Sequence, residues 1–159
     1  GNDVLSWARV LEILGRPENC FVDYGQEYTD CSFETMMRTL KNMGYGYPST
    51  NEADWNFENV AFATVAWQIP LIAGGYNQKH LHTWVIDGSK YYEVREAGSK
   101  NVLRYDLYLH CVWGKGGTAN GYFLFKEDMF GGRPSERDYG TSGSMPKFTG
   151  LKFIHASPY

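Results

Sequence analysis

The chain has 159 residues, 43% apolar, 21% charged and 16% aromatic, with a formal net charge of −3. That length supports a single compact domain over residues 1–159 with a packed core. The mild acidity, with no block of like charge, excludes a nucleic-acid footprint, which needs a basic patch. No apolar run approaches the roughly 18 residues of a membrane span.

In chain order, "NDVLSWARVLEILGRPENC" (residues 2–20) predicts a helix. Asn2 or Asp3 caps it, Val4, Ala8 and Leu11 share a face, and Gly15 and Pro17 stop it. "DCSFETMMRTLKNMGYGYP" (residues 30–48) predicts a second helix. Phe33, Met36, Met37, Leu40 and Met43 follow helical spacing as a core stripe, and Gly44 ends it. A weaker third helix covers Phe57 to Ala66, after the acidic start "NEADW". The pattern then changes. "PLIAGGY", "HTWVIDG", "KYYEVREA", "VLRYDLYLHCVW", "GYFLF" and "GLKFIHAS" predict strands separated by turn residues. Helices first and antiparallel strands after is an α+β order. Residues 130–146, "FGGRPSERDYGTSGSMP", predict a long Gly- and Ser-rich loop.

Cys20, Cys31 and Cys111 are an odd count, so at most one disulfide forms. No CxxC or HExxH spacing supports zinc, and no cofactor is implied. His80 and His82 stand two apart, which places them on one face of a strand. His80 reads as a polar loop residue. The chain opens on Gly1 without a Met, as a processed or trimmed chain would.

Two residues carry candidate chemistry by local physics. Cys31 stands at the start of the second helix, where the macrodipole and free N–H groups stabilise a thiolate. Its bland alternative is a small buried thiol under a helix. His82 heads the apolar strand "HTWVIDG", and a Cys at a helix start with a His on a later strand is the arrangement of a nucleophile and its base. In "HCVWGKGGTANGYF" (residues 110–123), Trp113 enters a glycine turn where an indole can cover an imidazole; a plain hairpin with a core Trp is the alternative.

These motifs together resemble the streptopain family of bacterial secreted cysteine peptidases, which have a papain-like fold. "HTWVIDG" is similar to that family's His-Ala-aromatic-Val-Ile-Asp-Gly segment. "HCVWGKGGTANGYF" is similar to its His-x-Asn-Trp-Gly-Trp-Gly-Gly and Asp/Asn-Gly-Tyr/Phe-Phe segments. "DYGQEYTDCSFETMMRTLKNMGYGY", "IPLIAGGY" and "FTGLKFIHAS" follow its layout on either side. The resemblance implies a papain-like half, helices on a bent antiparallel sheet, with His82 as the catalytic His and Trp113 as the ring that orients it. It implies a mobile loop near residues 131–144 and a secreted or cell-surface location. Departures stand beside the matches: Leu81 for the Gly before the His, Val112 for the Asn, Lys115 for the second Trp. The family's nucleophile lies N-terminal to everything aligned here, and Cys31 falls on a small residue of a Ser-Gly-Ala-Ser segment.

Three readings follow. The chain is the His-bearing part of a cysteine peptidase whose nucleophile helix lies outside it; or a degenerate homologue serving as a binding or scaffold domain; or a stand-alone Cys31–His82 peptidase or amidase. The partners implied are a polypeptide substrate or the missing N-terminal part, with no nucleic acid and no membrane span. Without the nucleophile helix, an apolar face at Trp84 and Trp113 should be bared. Self-association, or a local segment inserting Phe130, would then cover it.

Overall fold

The computed structural model describes residues 9–10, 12–20, 23–24, 29–45, 51–78 and 80–155. The chain divides into two compact units, Gly1–Glu52 with Ala156–Tyr159, and Ala53–His155.

In the first unit, residues 9–10 and 12–15 are helical. Glu12 bridges Arg9 and Arg16 one turn to either side, and these exposed pairs contribute little. The expected cap at Asn2 or Asp3, and Val4, Ala8 and Leu11, lie outside the described residues. β1 (Asp23–Tyr24) pairs antiparallel with β2 (Thr29–Asp30). The next helix runs Phe33–Asn42, shorter than the span its apolar spacing predicts. Ser32 sets its start, accepting a hydrogen bond from the Thr35 N–H at 3.2 Å. Gly44, at φ +84°, ends it as expected. The stripe is only partly buried: Phe33, Met36, Met37 and Leu40 are half-buried, Met43 is exposed, and Thr39 is the buried residue. Thr39 tolerates this because its hydroxyl donates to the Thr35 carbonyl one turn back.

β3 (Asn51–Asp54) leads into the second unit. The predicted third helix is two-part: an α-helix at Phe57–Ala61, capped by the Asn56 side chain, runs into a π-helical turn at Phe62–Ala66. Seven strands follow: β4 (Leu71–Asn77), β5 (His80–Arg95), β6 (Val102–Val112), β7 (Gly121–Leu124), β8 (Phe130–Gly132), β9 (Glu136–Arg137) and β10 (Met145–His155). They pair antiparallel in the order β10-β4-β5-β6-β7-β9, and β8 pairs with β10. The architecture is mixed, helices with a multi-stranded antiparallel sheet.

Three sequence expectations change here. "HTWVIDG" and "KYYEVREA" are one strand, not two, and His80 is its first residue rather than a loop residue. Asp87-Gly88 does not turn the chain, because Ile86 pairs with Cys111 and Gly88 with His110, leaving Asp87 as a bulge. The bulge switches the parity of the strand's faces: Trp84 and Ile86 are buried before it, and after it the odd-numbered Ser89 and Tyr91 stand opposite the buried Leu109 and Leu107 while staying half-buried and exposed. The third change is the stretch 130–146, where β8, β9 and the start of β10 alternate with loop at 133–135 and 138–144.

The core is aromatic. Trp55 stacks on Phe125 at 5.3 Å and meets Phe130 at 5.0 Å, and its Nε1–H donates to the Lys126 carbonyl. Leu71, Ile86, Leu107, Leu109 and Cys111 fill the sheet's inner face and are essentially inaccessible.

Candidate active site

His82 lies on β5 opposite Gly75 of β4. Strand alternation turns its side chain to the face that carries Trp84 and Ile86. There its imidazole joins a stack of rings. The Trp113 centroid is 6.1 Å away with planes 18° apart, Phe148 is at 5.4 Å and Trp84 at 6.2 Å. Trp84 and Trp113 lie 4.7 Å from each other, and Phe130 touches both, at 6.2 and 6.3 Å. Trp84 and Trp113 are buried, so no apolar face is bared at these two rings. The local segment supplies part of the cover, β8 bringing Phe130 and β10 bringing Phe148.

The surroundings set the protonation of His82. Burial lowers its pKa below the ordinary value, the Lys115 charge lowers it further, and a hydrogen bond to the Trp113 backbone opposes both. Nε2 is buried without a hydrogen-bond partner. An imidazolium would place an unpaired N–H there, so the neutral ring is favoured. A neutral imidazole is a proton acceptor at neutral pH, as a general base must be.

The corner that holds Trp113 is built from both sides. The Trp113 N–H donates to Asn120 Oδ1 at 3.1 Å, closing the turn 113–120. Residues 138–142 dock on that turn: the Asp138 N–H and the Thr141 hydroxyl both donate to the Asn120 carbonyl, and the Ala119 N–H donates to the Ser142 carbonyl. Gly121 has φ +145°, and a Cβ there would stand 2.1 Å from the Glu136 carbonyl oxygen. Only glycine lets β9 approach so closely.

A cluster that sequence reasoning missed lies on the sheet's other face. His110 Nδ1 meets Asp87 Oδ1 at 2.5 Å and Nε2 meets Asp138 Oδ1 at 2.8 Å. The bulge aims Asp87 at His110, and Gly88 leaves room, since a Cβ there would reach the His110 Cβ at 3.4 Å. Burial works to lower the His110 pKa, but the hydrogen bonds and charges of Asp87 and Asp138 outweigh it and the net shift is upward. The motif "HTWVIDG" held the Asp and "HCVW" the His, but a bulge leaves no sequence signal to pair them. Val112 pairs with Val85 and alternates to this same outer face, away from the His82 ring.

Cys31 does not stand inside the helix start that was expected to activate it. It precedes the Ser32 cap, and its Sγ lies 3.0 Å from the Cys20 carbonyl and 3.3 Å from the Thr35 hydroxyl. Cys31 belongs to the first unit, and His82 and Trp113 to the second. All three cysteines are free thiols, so no disulfide forms. Burial pushes the Cys111 thiol well above its ordinary pKa, which removes it as a nucleophile.

Among the described residues, no group of three or more His, Cys, Asp or Glu side chains is arranged to hold a metal ion, the Asp87–His110–Asp138 cluster included, and no helix is long and apolar enough to cross a membrane. A cleft of about 330 Å³ is lined by Thr64, Gln68, Asp87, Ser89 and Tyr91, against the π-helical turn; His82 does not line it.

The Peptidase C10 family model matches residues 18–123, which include Cys31, His82, His110, Trp113 and the glycine turn. No curated protein and no solved structure matches the chain. The match takes in most of the chain and carries His82 and Trp113 in one matched stretch, so the chain belongs to the Peptidase C10 family, the streptopain-like cysteine peptidases.

Proposed function

We propose that the chain is the histidine-bearing part of a papain-like Cys–His peptidase site, with His82 as general base and Trp113 as the ring that positions it. The observation that carries this is the parallel packing of the His82 and Trp113 rings within the family-matched stretch. In the mechanism, neutral His82 takes the proton of a cysteine thiol. The thiolate attacks a peptide carbonyl, the imidazolium gives its proton to the leaving amine, and water then releases the acyl group. In this reading the nucleophile comes from outside the residues present here, where the family resemblance puts its helix; Cys111 is buried and Cys31 falls on a family position other than the nucleophile's. The substrate is a polypeptide, and the setting is secreted or cell-surface.

The test is hydrolysis of casein by three proteins: this chain, the polypeptide extended by the residues encoded ahead of it, and the extended form carrying His82→Ala. Cleavage by the extended form alone is expected. An inactive extended form, or activity that survives His82→Ala, overturns the proposal. Cleavage by this chain that disappears in Cys31→Ser would establish the stand-alone Cys31–His82 reading instead.

A second reading has one observation in its favour. Lys115 stands where the family carries a Trp, and its charge works against the imidazolium that the reaction must form. That is the change expected in a degenerate homologue acting as a binding or scaffold domain, and an inactive extended form would support it.

A further inference from the structure

The cleft beside β7 and β8, about 350 Å³, gathers three cations. Lys126, Arg133 and Lys147 all line it, all are exposed, and none has an ion-pair partner among the described residues. The acids nearest in sequence are engaged elsewhere or outside the cleft. Glu127 accepts the Phe57 N–H, Glu136 pairs with Lys90, and Asp128 does not line it. In a chain of net charge −3, three unneutralised cations around one concavity are a local reversal of sign.

The backbone is shaped to keep this concavity open. Gly131 has φ +122°, and a Cβ there would lie 2.4 Å from the Pro146 carbonyl oxygen, so β8 presses on β10 without a side chain between. At Gly132 the space above the backbone is taken by the Lys147 stem, whose Cε would lie 3.7 Å from a Cβ. The stem therefore lies over glycine and carries its ammonium along the cleft. The Ser135 side adds a hydroxyl, while Leu124 and Met129, both part-exposed, make an apolar wall.

We propose that this cleft binds a phosphate monoester, with the dianionic head against Arg133, Lys126 and Lys147 and the carbon body against Leu124 and Met129. Three cations exceed what one carboxylate neutralises, whereas a dianion balances two of them and accepts the planar fork of Arg133. The apolar wall gives the ester's carbon portion something to bury. This site does not depend on the peptidase reading, since none of its three cations belongs to the His82 ring stack.

The test is an amide NMR titration of the chain at fixed ionic strength with inorganic phosphate, phenyl phosphate and phenylacetate. Saturable shifts at Gly131, Gly132 and Ser135 are expected, tightest for phenyl phosphate and weakest for phenylacetate. Arg133→Gln and Lys147→Gln should each weaken phenyl phosphate binding about tenfold or more, as loss of a charge-assisted contact does. Both side chains are exposed, and the same spectra report whether the variants stay folded. Absence of saturation at those amides, or equal binding by the variants, overturns the site. Phenylacetate binding as tightly as phenyl phosphate overturns the dianion, and inorganic phosphate binding as tightly overturns the apolar wall.

Discussion

The imidazole of His82 lies nearly parallel to the indole of Trp113, ring centroids 6.1 Å apart, although His82 stands near the start of β5 and Trp113 just past the end of β6, with the rest of β5, the hairpin and all of β6 between them. The indole is fully buried and also meets Trp84, Phe123, Phe130 and Phe148. Removing it opens a cavity ringed by stiff aromatics that close in poorly. Trp113→Ala should therefore cost about 3–5 kcal/mol of unfolding free energy, read as a lower urea midpoint at unchanged slope. A loss under about 1 kcal/mol would show that the ring is not part of the packed core.

Lys115 bears on the same imidazole through its charge. Burial is the larger cause of the lowered His82 pKa, and the Lys115 ammonium adds to it. Lys115→Gln should move the His82 titration midpoint upward in NMR. The gap between the two proteins should shrink in high salt, because a Debye length near 10 Å at 0.1 M shortens to about 3 Å at 1 M. A midpoint that stays put at low salt would remove the electrostatic case for a degenerate site.

His110, held between Asp87 and Asp138, makes stability depend on pH. Its pKa in the folded protein is raised. The protonated ring therefore stabilises the fold fully below the unfolded-state value of about 6.5, and that contribution is lost as pH rises through the folded value. Asp138→Asn should cost about 1 kcal/mol near pH 6, discounted for a carboxylate that is more than a third exposed. The cost should shrink toward zero near pH 8.5. Paired denaturation curves at the two pH values measure it, and a cost that grows with pH would contradict the sign.

Gly121 offers a backbone test. Its φ of +145° and the Glu136 carbonyl oxygen 2.1 Å from any Cβ leave no room for alanine. Gly121→Ala should cost at least about 1–3 kcal/mol of strain and push β9 off β7. Hydrogen exchange would register this as lost protection at Asp138 and Ser135, whose N–H groups donate to the Asn120 and Tyr122 carbonyls on either side of Gly121. Retained protection at both would show that the close approach is not needed.

Much of this protein is legible in its residues. Period-two apolar runs identified the strands from residue 70 onward, and glycine spacing identified the turn after Trp113, because side-chain alternation and positive φ are local demands. The family resemblance rested on motifs local in the same sense. Other features depended on partners distant in the chain. One was the Asp87 bulge, which joins two predicted strands into β5 and switches the parity of its faces. A second was the assembly of short strands from residues 130–146, which look like loop because their hydrogen-bond partners lie on β7 and β10. The Asp87–His110–Asp138 cluster and the basic cleft were invisible for the same reason. Each gathers charges from separate strands and from the loops beside them, and only strand pairing decides which of them face one another. The sequence by itself determined which of the longer stretches extend, where the turn after Trp113 falls and which family the chain resembles. The tertiary structure alone decided that Phe148 joins Trp84 and Trp113 around His82, since burial depends on which faces the ladder brings together rather than on any local propensity.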